Sequence, residues 1–336
     1  MRRRSVLLAL PAGLLSLAAC GDDGDGGGGE ADDVSPSPSA TDGSPEPAPT
    51  GKIVDGPLPE ITKGKKFGEK PTVAKGTGDP SSDIAVQVRV AGSGATVAQG
   101  DYMEFDYLGQ IWDTAEVFDN SYDRGRPAVS QIGVGRLIPA WDQVLVGKKV
   151  GDRVQLAIPP KYGYGETGQP QAGIEGDDTL VFVVDVVQAY NGKSSAQGTE
   201  VAQDNVDLPK VGTNTDGKAP AITLPEGAEP PKELVSTYVL EGEGHEVAET
   251  DAVLVQYKGV LWDGGKEFDS TYTREALAQF SLDRVVPGWR QGLTGKKTGS
   301  RVLIVVPPDL GYGDQGTGDI PGGATLVFSV DILATV

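Results

Sequence analysis

Cysteine and histidine are almost missing from this chain: its 336 residues contain one of each. The lone cysteine, Cys20, excludes an intramolecular disulfide. The lone histidine, His245, lies beside Gly244 and outside any motif, which excludes a Ser-His-Asp set and leaves too few soft ligands for a metal cluster. Basic charge is also scarce. Against 48 acidic residues there are 29 Lys and Arg, a formal net charge of −19, so the chain repels phosphate backbones and no nucleic acid is expected as a partner. Apart from the first 20 residues, no apolar run approaches the ~20 residues that a bilayer span requires. No glycine-rich phosphate loop opens a helix either, since Gly26 to Gly29 sit in polar low-complexity sequence. The expected chemistry is therefore one that needs no cofactor and no metal.

At the N terminus Arg2, Arg3 and Arg4 precede an apolar run from Val6 to Ala19, too short for a spanning helix and read as an export signal. Leu17-Ala18-Ala19-Cys20 then resembles the lipobox of bacterial lipoproteins, which implies that Cys20 is lipidated and begins the mature chain. Residues 1–20 are assigned to a lipoprotein signal peptide, and the expected location is extracytoplasmic, with membrane attachment through the lipid anchor only. Residues 21–70 hold Gly, Asp, Ser and Pro with few large apolar side chains, a composition that cannot offset the entropy of ordering, so a disordered tether is expected. Residues 191–218 read as a second, milder linker.

The remaining segments, 71–190 and 219–336, are copies of each other. Tyr107 falls on Tyr257, Gly109 on Gly259, Phe118-Asp119 on Phe268-Asp269, and Arg124 on Arg274. After a two-residue deletion, Pro139 and Trp141 fall on Pro287 and Trp289, Tyr164-Gly165 on Tyr312-Gly313, and Thr179 to Phe182 on Thr325 to Phe328. A repeat of this length is a duplicated domain and not a solenoid unit of about 20–50 residues. Within each copy short apolar runs bounded by Gly and Pro predict strands, as in Val86 to Val90, Tyr102 to Tyr107, Val154 to Ile158 and Leu180 to Val187. One helix per copy is expected, with Pro139 or Pro287 in its first turn and Gly147 or Gly295 just past its end.

Taken in order, these motifs are Tyr-x-Gly, Phe-Asp-x-Ser/Thr-Tyr-x-Arg, Pro-x-Trp, Pro-Pro-x-x-Gly-Tyr-Gly and Thr-Leu-Val-Phe, each present twice. The chain thereby resembles the FKBP family of peptidyl-prolyl isomerases. The resemblance implies an α+β fold of two FKBP-like domains, each a twisted antiparallel β-sheet half-wrapped around one short α-helix. It implies a first pocket of Tyr107, Phe118, Asp119, Trp141, Tyr164 and Phe182, with Arg124, Leu137, Ile138 and Ile174 contacting substrate. The second pocket would be Tyr257, Phe268, Asp269, Trp289, Tyr312 and Phe328, with Arg274, Val285, Val286 and Ile320. The family's partners would be proline-containing unfolded or partly folded exported proteins and macrolide inhibitors of the tacrolimus and rapamycin type. Both copies depart from the pattern with Ala128 and Ala278 where an aromatic wall residue is usual, and the first also has Ala140 where Gly precedes the Trp. Asp319 beside Ile320 is expected to disfavour acidic substrates.

The implied reaction breaks no covalent bond. It lowers the ~18–20 kcal/mol resonance barrier to rotation about an X-Pro amide, which an apolar, shape-matched pocket does by favouring the less polar, twisted amide. Three classes of function stay open at this stage: an isomerase, a proline-peptide binding module or chaperone with weak turnover, and a chain with one active and one structural copy.

Overall fold

The computed structural model describes residues 49–336, so the expectations for the export signal and for Cys20 lie outside the described residues. Two sheets of the same design carry the two copies. In the first, Tyr102–Ile111 and Leu180–Tyr190 form the long central pair, Arg153–Ile158 and Ile84–Val90 extend one side, and Val117–Asn120 and Ala128–Gln131 both pair with Tyr102–Ile111. The second repeats this with Ala252–Leu261, Leu326–Thr335, Arg301–Val306, Val235–Glu241, Glu267–Ser270 and Ala278–Ser281. All these ladders are antiparallel. The expectation of a purely antiparallel sheet fails at one place, because Ile53–Val54 joins the edge of the first sheet in parallel.

Each helix forms where its punctuation places it. Pro139–Leu145 and Pro287–Leu293 both begin on proline, whose fixed φ and missing N–H suit a first turn. Both end before a glycine in the left-handed region, Gly147 at φ 85° and Gly295 at φ 77°. Trp141, Val144 and Leu145 turn one helical face into the first core, and Trp289 and Leu293 do so in the second. One helix per copy was expected, but the second copy has an additional turn of α-helix, Thr271–Arg274, where the first has the 3-10 turn Tyr122–Arg124. No described helix is long and apolar enough to cross a membrane.

The central strands are buried on both faces. Along Leu180–Tyr190, Leu180, Phe182, Val184 and Val186 face the helix. The alternate residues Val181 and Val183 belong to a second cluster with Ile61, Val73, Ala85, Leu108, Trp112 and Ala157. Part of the cover for that second face is the stretch expected to be tether: Ile61–Lys63, within 21–70, pairs with Thr72–Val73 at the start of the first copy in a small antiparallel ladder lying on the sheet. The expected linker does the same for the second copy: its Lys210–Val211 pairs with Ile222–Thr223, at the start of that copy, and its Ala196 and Val211 are buried against Val305 and Val327. The assignment of 21–70 to a disordered tether is thus corrected from residue 53 onward, and that of 191–218 to a linker is corrected over most of its length. Composition misled because these arms contribute few apolar side chains each. They contribute backbone hydrogen-bonding groups instead.

Those groups are claimed by a fully buried ion pair. Arg153 and Asp185 face each other across the ladder, with Nε to Oδ1 and Nη2 to Oδ2 both 2.6 Å. The guanidinium also donates to the carbonyls of Gly64 and Glu69, and Gly68 N–H donates to Asp185 at 2.7 Å. Arg301 and Asp331 repeat this, reaching the carbonyls of Gly212 and Asn214 at 2.7 and 2.9 Å, while Ala196 N–H donates to Asp331 at 2.9 Å. A buried pair is tolerable only when its remaining donors and acceptors are also satisfied, and the arm satisfies them.

Candidate active site

The helix face and the sheet face meet at an aromatic box. Trp141 forms its floor, standing edge-on to Phe105, Tyr107 and Phe182 with ring centroids 5.2, 5.7 and 5.1 Å away. Phe118 closes on Phe182 at 5.5 Å. Leu137, Ile138, Ile174 and Tyr164 complete the same cluster, so the structure brings the expected first-pocket side chains together. In the second copy Trp289 stands edge-on to Tyr257 at 5.2 Å and Phe328 at 5.3 Å, and Phe268 meets Phe328 at 5.5 Å. Val285, Val286 and Ile320 join that cluster. Tyr312 does not and is 41% exposed.

Gly109 and Gly259 explain the Tyr-x-Gly motif. A Cβ at Gly109 would lie 2.6 Å from Phe118 and 2.7 Å from Phe182, and one at Gly259 would lie 2.6 Å from Phe268. Only a residue without a side chain lets two rings close over the strand. A hydroxyl anchors the next segment: Ser121 Oγ accepts from Tyr107 N–H at 2.9 Å and donates to Asp106 at 2.6 Å. Thr271 does the same between Tyr257 N–H and Gln256. The motif carries these two positioning residues without assigning them a role, and a hydroxyl side chain at the same position in both copies is the sequence signal that points to them.

At the rim, Tyr107 donates its hydroxyl proton to Asp119, and Arg124 donates to Asp119 at 2.6 Å and to the Tyr107 oxygen at 2.9 Å. Tyr257, Asp269 and Arg274 form the same triangle. Burial first, and then the hydrogen bond to Asp269, pushes the Tyr257 phenol up to about 12; burial and the Asp119 bond push the Tyr107 phenol up as well. Burial alone would raise Asp269, but the Tyr257 hydroxyl and the Arg274 guanidinium outweigh it and hold the carboxyl below its ordinary range. Tyr164, raised to about 12 by burial and the nearby Asp119 charge, keeps its proton at neutral pH, and its hydroxyl has no hydrogen-bond partner among the described residues. The backbone N–H groups of Ile138 and Val286, at the pocket edge just before each helix, are likewise without partners among the described residues. The first box thus has two donors without partners among the described residues, the Tyr164 hydroxyl and the Ile138 N–H, and the second has the Val286 N–H at the same place.

Where the family pattern has an aromatic, Ala128 and Ala278 pack half-buried against their clusters. The two copies fill the adjacent space from different strands. Phe105, the register partner of Ala128, lies against the floor of the first box. In the second, Val255 stands at that strand position, and Phe280, two residues beyond Ala278, meets Trp289 at 5.4 Å. Phe280 was missed because a half-buried aromatic on a short edge strand carries no distinguishing sequence signal. Asp319 is exposed and pairs loosely with Lys266 at 3.8 Å.

A family model described as FKBP-type peptidyl-prolyl cis-trans isomerase matches residues 94–187 and again 244–333, together more than half of the chain. Among curated proteins, the peptidyl-prolyl cis-trans isomerase FKBP9 of Homo sapiens is 32% identical over 241 residues, which cover 71% of this chain and 35% of that protein. The FKBP-type peptidyl-prolyl cis-trans isomerase FkpA of Escherichia coli K12 is 47% identical over 100 residues, 30% of this chain and 37% of that protein. The crystal structure of FkpA from Escherichia coli matches at 43% identity with a TM-score of 0.30, covering 33% of this chain and 52% of that one. The chain spans about a third of the length of the curated FKBP9 relatives that it matches.

Proposed function

The chain belongs to the family of FKBP-type peptidyl-prolyl cis-trans isomerases, and we propose that each of its two aromatic boxes accelerates rotation about X-Pro bonds in exported, partly folded proteins. The observation that carries this reading is the twofold occurrence of a tryptophan floor walled by Phe and Tyr with free donors at the edge. Planar amides owe their barrier to a resonance that places charge on the carbonyl oxygen, and water stabilises that charge better than an aromatic box does. A proline ring seated on Trp141 or Trp289 therefore loses more stabilisation in its planar forms than in the twisted one. The Ile138 or Val286 N–H and the Tyr164 or Tyr312 hydroxyl orient the chain by donating to its carbonyls. The rim triangles hold Tyr107 and Tyr257 in place and transfer no proton. Macrolides that present a proline-like ring would compete for the same boxes.

Exchange NMR on a proline peptide tests this. Turnover should be nearly flat from about pH 6 to 8, because no group with an ordinary pKa in that range lines either box. Trp141→Ala combined with Trp289→Ala should abolish most of it. A bell-shaped profile, or full activity in the double variant, would show that isomerisation happens elsewhere or by proton transfer. For the anchor, we propose lipidation of Cys20, supported by Leu17 to Cys20; metabolic labelling with a fatty-acid analogue that persists in Cys20→Ser would remove it.

A further inference from the structure

The two boxes differ in how tightly they close. Trp141 and Phe182 have 0% of their surface accessible, against 4% and 5% for Trp289 and Phe328. Ile174 is 2% exposed and Ile320 8%; Leu137 and Ile138 are buried, whereas Val285 and Val286 are only half-buried; Tyr312 reaches 41%. These differences share one sign, and the sequences of the two copies differ around the boxes. Val285 and Val286 each lack one methylene that Leu137 and Ile138 supply, and Leu310 stands where Tyr162 places a ring. The wall loop is also shorter in the second copy. Four residues separate the bridged pair Gln169 and Ile174, but only two separate Thr317 and Ile320. The extra length in the first copy forms the turn Pro170–Ala172, and Ala172 packs into the first cluster.

Resting on the isomerase reading above, we propose that the two boxes divide proline substrates by bulk. The first takes segments with a small residue next to proline, and the second takes segments with a branched or aromatic one. A box that already fills its own volume admits a larger side chain only by displacing wall residues that are packed at crystal-like density. A lower wall with two methylenes removed leaves that volume to the ligand. Hydrophobic pockets discriminate by about tenfold or more per methylene, so the two boxes should differ at least tenfold in their preference between Ala-Pro and Leu-Pro.

The four tryptophans supply a readout for each box within the intact chain. Trp141 and Trp289 are the two floors, while Trp112 and Trp262 lie in the clusters on the opposite sheet faces and serve as controls. Trp141 Nε1 is buried without a hydrogen-bond partner among the described residues, so its resonance should respond to an arriving carbonyl. With indole-15N-labelled full-length chain, tetrapeptides containing Ala-Pro and Leu-Pro are titrated and the shift of each indole is followed. We expect Trp289 to favour Leu-Pro over Ala-Pro by about tenfold more than Trp141 does. Val285→Leu with Val286→Ile should move the second box toward the first, and Leu137→Val with Ile138→Val should do the reverse, with Trp112 and Trp262 unmoved. Equal preferences at the two floors, swaps that leave the ratio unchanged, or a Trp141 that stays silent while Trp289 responds would each overturn the division by size and leave the isomerase reading standing. Silence of both floors toward every proline peptide, matching a glycine-for-proline control, would overturn both readings.

Discussion

In the first copy the helix sets Ala140 and Val144 against the sheet; in the second the same two positions are Gly288 and Gly292. Both helices have seven residues, begin on proline and end before a left-handed glycine. Their contact with the sheet nevertheless differs. A Cβ at Gly288 would lie 2.4 Å from Val306, and one at Gly292 would lie 3.0 Å from Ile304, so the second helix leaves no room for the methyl that the first buries as Ala140. What the pair teaches is that caps, sheet order and the buried Arg–Asp lock define a frame, and that the frame accepts more than one filling. Differences in the helix contact and in the wall loop change the box without changing the topology.

The strongest way to break this comparison is to remove the lock from each copy in turn. Arg153→Met should strand Asp185 and orphan the carbonyls of Gly64 and Glu69, costing about 3–5 kcal/mol, and Arg301→Met should cost the second copy a similar amount. Denaturant unfolding of the full chain, followed by tryptophan signals assigned to each copy, measures this. An unchanged transition in either variant would mean that the arm of that copy is not part of its fold. The same lock relocates the boundary between copies. Ala196 and Gly198 belong to the second fold, since Ala196 N–H is bound by Asp331 and a Cβ at Gly198 would meet the Glu241 backbone at 2.4 Å.

A middle-sized effect separates packing from propensity. Gly288→Ala improves intrinsic helix propensity by about 1 kcal/mol, yet the approach to Val306 should make it destabilising overall, with overpacking typically costing about 1–3 kcal/mol. Ala140→Gly in the first copy should also destabilise, by about 1 kcal/mol from propensity alone. If Gly288→Ala raises the stability of the second copy, the two helices rest at the same depth and the contrast above is wrong.

The smallest expected effect is at the rim. Because Asp269 has its pKa lowered in the folded protein, its contribution to stability is complete above the ordinary carboxylate range and is lost as pH falls through the lowered value. Asp269→Asn should therefore flatten part of the acid limb of the second copy's stability profile, from the ordinary carboxylate range downward. With the Asp269 side chain 39% exposed, the effect should stay within the range of surface pairs, below about 1 kcal/mol. A larger loss at neutral pH than at pH 3 supports the assignment, and a pH-independent loss refutes it.

Much of this molecule is legible before folding is considered. The repeat and the helix punctuation by Pro139 and Gly147 follow from short-range pattern, and most of the aromatics that meet over Trp141 were implied by the family resemblance that the motif order carries. The arms were not legible, although a trace existed: Leu180 to Val184 is a continuous apolar run, the signature of a strand covered on both faces, and alternation alone would have left Val181 and Val183 in water. Residues 53–73 gave no hint of being that cover, because Gly, Lys and Pro dominate them and their role is to present carbonyls to an arginine some 90 positions away.

That there are two copies, and where the helices opened by Pro139 and Pro287 start and stop, depends on local backbone preference and on residue identity at fixed spacing and was set by the sequence, while the family resemblance implied which side chains could form an aromatic box. Tertiary structure alone decided that both arms belong to the folded units and that the second box closes less tightly than the first. Both outcomes depend on distances between segments far apart in the chain, where burial of Arg153 and Arg301 recruits backbone partners and where a missing methylene or a shortened loop changes the space left over.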